Sequence, residues 1–190
     1  MVGDERPVAA DAAAAPTLQS ARIVLTPCAA ADAADLVALH RDPRVTQLLV
    51  DGIPDEPWKA QVYLDWAAGL HARGIGPWTA RRRGDGRFLG LFTLTPFVGD
   101  DDRLLEFGGR LARAGWPGGL SIEAGAAVID HGFGALDRVA LVSAHHPDNR
   151  AAAAALARLG FGGAVPGTVF GRDVLVQRLE RATWRARTNR

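Results

Sequence analysis

The chain has 190 residues, the length of one ordinary domain. Hydrophobic residues make up 48% of it and charged residues 23%, which excludes collagen, disorder and coiled coil as descriptions of the whole chain. The net charge of +1 argues against a general nucleic-acid binder, and the single cysteine, Cys28, excludes an internal disulfide. No apolar run approaches the roughly 20 residues that span a bilayer, and the first residues do not read as a secretory signal. We therefore expect a soluble cytoplasmic protein.

The N-terminal part of the chain predicts a tail, one strand and three helices. Residues 1–17 are rich in Ala, Pro and Asp without periodicity and are expected to form a disordered tail. The β-branched run at 23–25 is closed by Thr26-Pro27, which is typical of a strand. Apolar residues then recur at helical spacing in three segments, at 33–39, 43–49 and 58–70.

The middle of the chain predicts antiparallel strands. Residues 78–82 and 88–94 flank the turn Gly84-Asp85-Gly86, in which glycine permits the positive φ of a hairpin. Residues 104–111 predict a further strand, and the pair Gly108-Gly109 inside it predicts a β-bulge.

The pattern then changes to strand, Gly-rich loop, helix and strand. The loop spans 112–119, the helix follows from Leu120, and the unalternating apolar run 139–143 is typical of a strand buried on both faces. Such a βαβ unit makes its two strands parallel. Asn149 is expected to cap a last helix, a hairpin turns at Gly171, and residues 181–190 form an Arg-rich tail. The predicted fold is mixed α/β, with a mostly antiparallel sheet and one parallel pair.

The Gly-rich turn before Leu120 is the first candidate for chemistry. Free N–H groups at a helix start attract anions, and glycines let a phosphate approach the backbone closely. The turn matches neither a nucleotide P-loop nor the dinucleotide fingerprint. A tight strand-to-helix connection without a ligand stays open.

Three groups of residues, taken in order, carry a resemblance to a known family. They are Glu106-Phe107-Gly108, then the run from Trp116 to Ala124, and then Asn149 with Leu159-Gly160-Phe161. In these the chain resembles the GCN5-related N-acetyltransferases (GNAT), in particular the branch of ribosomal-protein N-terminal acetyltransferases. The resemblance covers residues 18–180, the predicted domain.

The resemblance implies that the strands around 105–111 and 139–143 splay apart and that acetyl-CoA, as cosubstrate, lies in the V between them. Amides of the loop would hold its pyrophosphate, and amides near 108–111 would polarise the thioester. The residues implied to contact acetyl-CoA are Phe107, Gly108, Gly109, Leu111, Arg113, Gly115, Trp116, Gly118, Gly119, Leu120, Ser121 and Asn149. The implied activity is acetyl transfer to a primary amine by direct attack in a ternary complex.

The chain departs from the family pattern at three positions. Pro117 stands where the first motif glycine is expected, and Ala114 stands where a basic residue or Gln is expected. Ala152 replaces a serine that usually follows the asparagine. Arg113 lies beside Ala114 and offers a charge. These changes motivate an alternative, a catalytically impaired member of the fold that binds acyl-CoA or a protein partner.

Glu106 is the candidate general base, because a partly buried carboxylate beside the splay has a pKa suited to removing a proton from an ammonium. A purely structural carboxylate is the alternative. Ser143 or water is the candidate general acid. Glu123 in the first helical turn is expected to be structural, and Asn149 is expected to cap its helix and to contact the pantetheine arm.

The remaining polar residues give weaker indications. The pair His145-His146 lacks a spaced third ligand, so we expect no metal site, and Cys28 is expected to be packed. Asp51, Asp55, Glu56 and Asp100 to Asp102 lie in acidic loops that attract a cationic amine or are simply solvated.

Other expectations concern the surface and the partners. Trp58, Trp66 and Trp78 are expected in the core, with an acceptor pocket as the alternative for the first two. A nucleic-acid role of the Arg-rich tail is the weakest alternative. The acceptor stays open among a protein N-terminus, an aminoglycoside-like drug, a polyamine and an amino acid, and homodimerisation stays open too.

Overall fold

One eight-stranded sheet organises the molecule. The computed structural model describes residues 14–51, 54–97 and 104–188. The strands are β1 (Leu18–Gln19), β2 (Ile23–Pro27), β3 (Gly76–Arg82), β4 (Phe88–Pro96), β5 (Leu105–Leu111), β6 (Ala140–His145), β7 (Gly162–Val169) and β8 (Arg172–Glu180). Their order in the sheet is β1-β2-β3-β4-β5-β6-β8-β7, with β5 and β6 parallel and every other pair antiparallel. The predicted mixed sheet with one parallel pair is confirmed.

Helices cover both faces of this sheet. They are α1 (Ala33–Arg41), α2 (Pro43–Thr46), α3 (Pro57–His71), α4 (Leu120–Phe133), α5 (Arg150–Leu159) and α6 (Arg181–Thr188). Adjacent residues of a strand point to opposite faces, and on β4 Leu91 packs with α1 and α3 whereas Phe92 packs with α4 and α5. The larger core therefore lies under α4 and α5, and the smaller one under α1 and α3.

The C-terminal segment differs from its prediction. Residues 181–188 form a helix rather than a tail, because Trp184 is buried and its indole Nε1 donates to Asp130 Oδ1 at 2.7 Å. The three arginines of this segment made it look solvated in the sequence, but the buried tryptophan anchors one face of the helix.

The N-terminal segment also packs where it is described. The Ala15 amide donates to the His71 carbonyl at 2.7 Å, and the Trp78 indole donates to the Pro16 carbonyl at 2.8 Å. Residues 14–17 thus lie against the domain instead of forming part of a tail; residues 1–13 and 189–190 lie outside the described residues.

The aromatic side chains divide unexpectedly. Trp78 is fully buried as predicted, but Trp58 and Trp66 are exposed on α3, so their prediction as core residues was wrong. With Val62 between them they form a stripe of four-residue spacing on the helix, but this stripe is exposed, and Ala60, Leu64 and Ala67 are the buried residues instead. Periodicity gives the helix and leaves open which face is covered.

Candidate active site

The parallel strands β5 and β6 are paired over a short stretch and then diverge. They pair at only two positions, Leu105 with Leu141 and Glu106 with Val142. Beyond these, β5 continues along β4 to Leu111 and β6 continues along β8 to His145. A V-shaped gap therefore opens directly after Glu106, as the predicted splay requires.

One edge of β5 presents free backbone groups to this gap. Phe97 N–H donates to the Leu104 carbonyl at 3.0 Å, and Ala112 N–H donates to the Leu89 carbonyl at 3.0 Å. Because bonded and non-bonded pairs alternate in an antiparallel ladder, the even-numbered residues of β5 bond to β4 and the odd-numbered ones point away from it. Gly109 and Leu111 therefore direct their N–H groups towards the gap, beyond the last pair with β6.

The expected bulge at Gly108-Gly109 is wrong. The register from Pro96–Leu105 to Gly90–Leu111 runs without a shift. The irregularity lies one strand away, between Ala80 and Arg81 opposite β4. There Gly90 has φ +145°, and a Cβ on it would lie 2.2 Å from the Arg110 carbonyl oxygen. The close approach that glycine permits is thus on β4, and the free amides of β5 arise from the splay rather than from a bulge.

The loop after β5 forms the mouth of the gap. Two single turns of 3-10 helix, Arg113–Gly115 and Pro117–Gly119, lead into α4. Gly118 and Gly119 have φ of 74° and 72°, in the left-handed region, and nothing lies within 4 Å of a Cβ placed on Gly119. Such open backbone at the start of a 14-residue helix suits an anion.

Some of the other residues in and beside this loop are buried and others are exposed. Gly115 is buried, and a Cβ on it would lie 2.5 Å from the Leu89 carbonyl oxygen. Leu120 is buried and Ser121 half-buried, whereas Arg113 and Trp116 are exposed. The Trp116 indole donates to the Leu111 carbonyl at 2.9 Å and so ties the loop to the end of β5.

Glu123 fixes the start of α4. It accepts hydrogen bonds from the Ser20 hydroxyl at 2.7 Å and from the Arg22 amide at 2.7 Å, and it forms an ion pair with the Arg22 guanidinium at 2.6 Å. Burial works to raise the pKa of Glu123, but these hydrogen bonds hold it below its usual value. The expectation of a structural role agrees with these contacts.

Glu106 lies where β5 and β6 begin to diverge, and the pKa of its carboxyl is raised. Its carboxylate accepts a long hydrogen bond of 3.4 Å from the Ala144 amide on β6. Burial raises the pKa of Glu106 to about 7; the Ala144 amide lowers it, and the Asp51 carboxylate raises it more than the Arg110 guanidinium lowers it. A carboxylate with this pKa exchanges a proton near neutral pH, as a general base must.

Ser143 lies on the other face of the sheet. Neighbouring residues of paired strands share a face, so Glu106 shares the face of Val142, and Ser143 points with Leu141 towards α4 and α5. Phe107 also points to that face, where it is buried and stacks on Phe161 with ring centroids 5.6 Å apart. The structure therefore does not bring the two predicted catalytic side chains together.

Asn149 caps α5 as predicted. Its Oδ1 accepts a hydrogen bond from the Ala152 amide at 3.0 Å. Asn149 lies in the connection between β6, which ends at His145 and forms one wall of the V, and α5; the NH2 group of its side chain is a further donor.

A cluster that the sequence did not indicate lies on the Glu106 face of β5. Arg110, two side chains further along this face, donates to His40 Nε2 at 3.0 Å and forms a close ion pair with Asp51. The signal was present, because residues 106, 108 and 110 alternate onto one face of a strand. The partners are 70 and 59 positions away, and no local pattern connects them.

The remaining polar residues that the sequence singled out do not form a second candidate site in the described part of the chain. Among the described residues, no three His, Cys, Asp or Glu side chains are grouped as a metal ion requires. Cys28 is buried, and burial raises the pKa of its thiol to about 11. Asp100 to Asp102 lie outside the described residues. Within the described part of the chain, no helix has the length and apolarity needed to cross a membrane.

Comparisons with known proteins point to one family. A family model described as an acetyltransferase (GNAT) domain matches residues 22–162. The crystal structure of an acetyltransferase from Agrobacterium tumefaciens str. C58 is 28% identical, with 94% of this chain and 100% of that chain covered and a TM-score of 0.73. No curated protein matches the sequence.

Two more distant structures share the fold. Mycobacterium smegmatis RimJ in complex with CoA-disulfide is 22% identical, with 88% of each chain covered and a TM-score of 0.70. The ribosomal-protein-S5-alanine acetyltransferase from Vibrio fischeri is 16% identical, with 89% of this chain and 98% of that chain covered and a TM-score of 0.70. The family that the sequence motifs indicated is thereby confirmed, and its ribosomal-protein branch is represented among the similar folds.

Proposed function

The chain belongs to the acetyltransferase (GNAT) domain family, and on that premise we propose that it transfers the acetyl group of acetyl-CoA to a primary amine. The observation that carries this proposal is the parting of β5 and β6 directly after Glu106. It places free amides of Gly109 and Leu111 along the same strand as a carboxylate whose pKa is about 7. A polarising donor and a proton acceptor are the two groups that amide formation from a thioester needs.

The chain has the groups to hold acetyl-CoA. The open amides of the turn before α4 suit its pyrophosphate, with Arg113 exposed nearby and Leu120 anchoring the helix start. Pro117 removes one N–H donor, but Gly118 and Gly119 keep theirs. Asn149 offers its side-chain amide group to the pantetheine arm. The loss of a hydroxyl at Ala152 leaves the cap intact, because the cap uses only the backbone amide of that residue.

The reaction removes two protons from an ammonium acceptor. Glu106 takes the first, directly or through water, and passes it to solvent. The amine nitrogen then forms a bond to the carbonyl carbon while the amides of Gly109 and Leu111 stabilise the oxyanion. As the C–S bond breaks, the second N–H proton goes to the departing sulfur. The products are an acetamide, CoA thiol and one released proton.

The second proton reaches the departing sulfur directly or through water rather than from a side-chain acid. Ser143 was the candidate acid, but its hydroxyl lies on the face of the sheet opposite Glu106. Burial raises the pKa of Tyr63, the single tyrosine, above its usual value, so its hydroxyl is a weak acid. CoA thiolate is a good leaving group, so this proposal needs no dedicated acid.

The experiment combines binding and turnover. Calorimetry with acetyl-CoA measures affinity, and a thiol reagent measures CoA release in the presence of a panel of amines covering peptides, polyamines, amino acids and aminoglycosides. We expect binding together with release for at least one amine class. Binding without release from any amine would support the alternative of a catalytically impaired acyl-CoA-binding module, and the absence of both would contradict the proposal.

A further inference from the structure

A basic cavity lies beside the turn before α4, towards β2 and β3 rather than towards β6. Its volume is about 480 Å³, and it is bordered by three segments that are distant in the sequence. The lining includes Arg22 before β2, Arg82, Arg83 and Gly84 of the β3–β4 hairpin, and Gly118 and Leu120 of the turn. Every charged side chain in this lining is an arginine, so the fold concentrates positive charge here in a chain whose net charge is only +1.

Arg22 is fixed at the border between the cavity and the turn. Its Nε donates to Glu123 Oε2 at 2.6 Å, and its Nη2 donates to the Gly118 carbonyl at 3.0 Å. A Cβ placed on Gly118 would lie 3.7 Å from Nη1, and among the described residues no hydrogen bond engages that nitrogen. The guanidinium therefore lies against the turn in one orientation, with one terminal nitrogen left to donate to a ligand.

Arg82 and Arg83 are less tightly paired. Arg82 reaches Asp85 only at 3.4 Å, with 38% and 52% of the two side chains exposed, and such exposed pairs contribute little. The Arg83 guanidinium donates to the Ser20 carbonyl at 3.1 Å, and no carboxylate in the described part of the chain forms a salt bridge with it. Glu123 and Asp85 thus supply two negative charges against the three positive charges of the arginines, which leaves one positive charge without a partner.

The ligand chemistry that fits this arrangement is a phosphate. A guanidinium binds phosphate through two parallel N–H···O bonds, and the oxygens of one tetrahedral phosphate accept from several guanidiniums at once. A carboxylate has only two oxygens and is satisfied by a single arginine. Gly84 and Gly118 have no side chains, so phosphate oxygens can approach the backbone between the arginines.

We propose that this cavity binds a phosphate monoester through Arg82 and Arg83, beside the fixed guanidinium of Arg22. Two sources carry this group: the 3′-phosphate on the ribose of acetyl-CoA, and a separate phosphate-bearing ligand. The first source rests on the proposed function; Gly118 borders both the cavity and the turn proposed for the pyrophosphate, so one nucleotide can reach both. The second source is independent of acetyl transfer.

The test uses the double variant Arg82→Gln/Arg83→Gln, with Arg87→Gln as the matched control. Arg87 carries the same charge in the same hairpin and is exposed, but it is not part of the lining. Calorimetry at constant ionic strength measures the binding of three probes: CoA, dephospho-CoA, which lacks only the 3′-phosphate, and inorganic phosphate. Thermal unfolding verifies that each variant is folded, and Arg83→Gln alone repeats the test at an exposed side chain.

If the cavity holds the 3′-phosphate of the cosubstrate, the wild type should bind CoA about 10-fold more tightly than dephospho-CoA. The double variant should lose this difference by binding CoA more weakly, while its affinity for dephospho-CoA stays the same. Arg87→Gln should keep the difference. This pattern assigns the site to the cosubstrate.

A separate ligand gives a different pattern. CoA and dephospho-CoA should then bind equally well to the wild type. Inorganic phosphate should bind to the wild type and to Arg87→Gln, and at least about 10-fold more weakly to the double variant.

The outcomes separate the two proposals. The phosphate site is overturned if the double variant binds all three probes as the wild type does, if Arg87→Gln changes binding as much, or if the double variant loses CoA and dephospho-CoA equally while phosphate binding is unaffected. These outcomes leave acetyl transfer intact. If the wild type binds neither CoA nor dephospho-CoA, the proposed function fails, and inorganic phosphate alone decides this inference.

Discussion

The two faces of β5 have opposite properties. On the face towards α4, Leu105 and Phe107 are buried in the larger hydrophobic core. On the other face, Glu106 has a raised pKa, and Arg110 donates to a buried histidine and pairs with the half-buried Asp51 carboxylate. The odd-numbered side chains of this strand therefore contribute stability and the even-numbered side chains contribute candidate chemistry, because side chains alternate along it. Substitutions one residue apart should separate the two contributions.

The largest expected effect is on the polar face. Glu106→Gln keeps the size of the side chain but cannot accept a proton from the acceptor, so kcat/KM should fall by about 10²–10⁴-fold. Calorimetry should show unchanged affinity for acetyl-CoA. Activity of the variant within a few-fold of the wild type would remove Glu106 from the mechanism.

A substitution at the adjacent residue, Phe107, should lower the stability of the protein far more than one at Glu106 does. Phe107→Ala removes a buried ring that lies 5.6 Å from Phe161 and 6.4 Å from Phe92, centroid to centroid, and should lower the free energy of unfolding by about 3–5 kcal/mol. Urea denaturation measures the change. Phe170→Ala, at an exposed phenylalanine, is the matched control and should alter stability by less than about 0.5 kcal/mol.

The unusual acidity of Glu106 should appear in the stability of the protein. Its pKa rises from 4.5 to about 7 on folding, so between these values the folded chain holds a proton that the unfolded chain has released. Stability should then fall as pH rises through this window, by at most about 3 kcal/mol at about 1.4 kcal/mol per pH unit.

Comparison with Glu106→Gln isolates this contribution. The variant should gain stability relative to the wild type between pH 5 and pH 8, as measured by urea denaturation at each pH. His40 acts in the opposite direction, because its lowered pKa makes stability fall as pH drops from 6.5 towards 4. Since His40 is present in both chains, its contribution cancels in the difference. A constant difference across the pH range would exclude a raised pKa at Glu106.

The smallest effect is expected in the loop between β5 and α4, which contributes both to packing and to the candidate acetyl-CoA site. Gly115→Ala places a Cβ 2.5 Å from the Leu89 carbonyl oxygen, and the backbone must move, at a cost of about 1–3 kcal/mol. We expect weaker binding of acetyl-CoA as well, because the same backbone leads to Gly118 and Gly119. Gly162→Ala, where nothing lies within 4 Å, is the control. Equal effects of the two substitutions would show that the loop is not rigid.

Local sequence patterns were sufficient to predict features that depend on a single helix, turn or cap. Apolar residues spaced three and four apart after Leu120 predicted α4, the turn Gly84-Asp85-Gly86 predicted the β3–β4 hairpin, and Asn149 was identified as a cap from its place before a helix. The motifs in order gave the family and pointed to Glu106. Each of these signals lies within a few residues, where backbone geometry and side-chain spacing act directly.

Contacts between distant segments were decided only by the tertiary structure. The gap between β5 and β6 depends on how two strands diverge, which neither strand encodes alone. The His40–Arg110–Asp51 cluster joins three segments, and the exposure of Trp58 and Trp66 depends on which face of α3 meets the sheet. Burial and charge pairing are properties of such assembled neighbourhoods. The sequence by itself therefore determined most of the elements in their order and the candidate base, and the packing of distant segments decided the C-terminal helix, the pKa of that base and the charges around it.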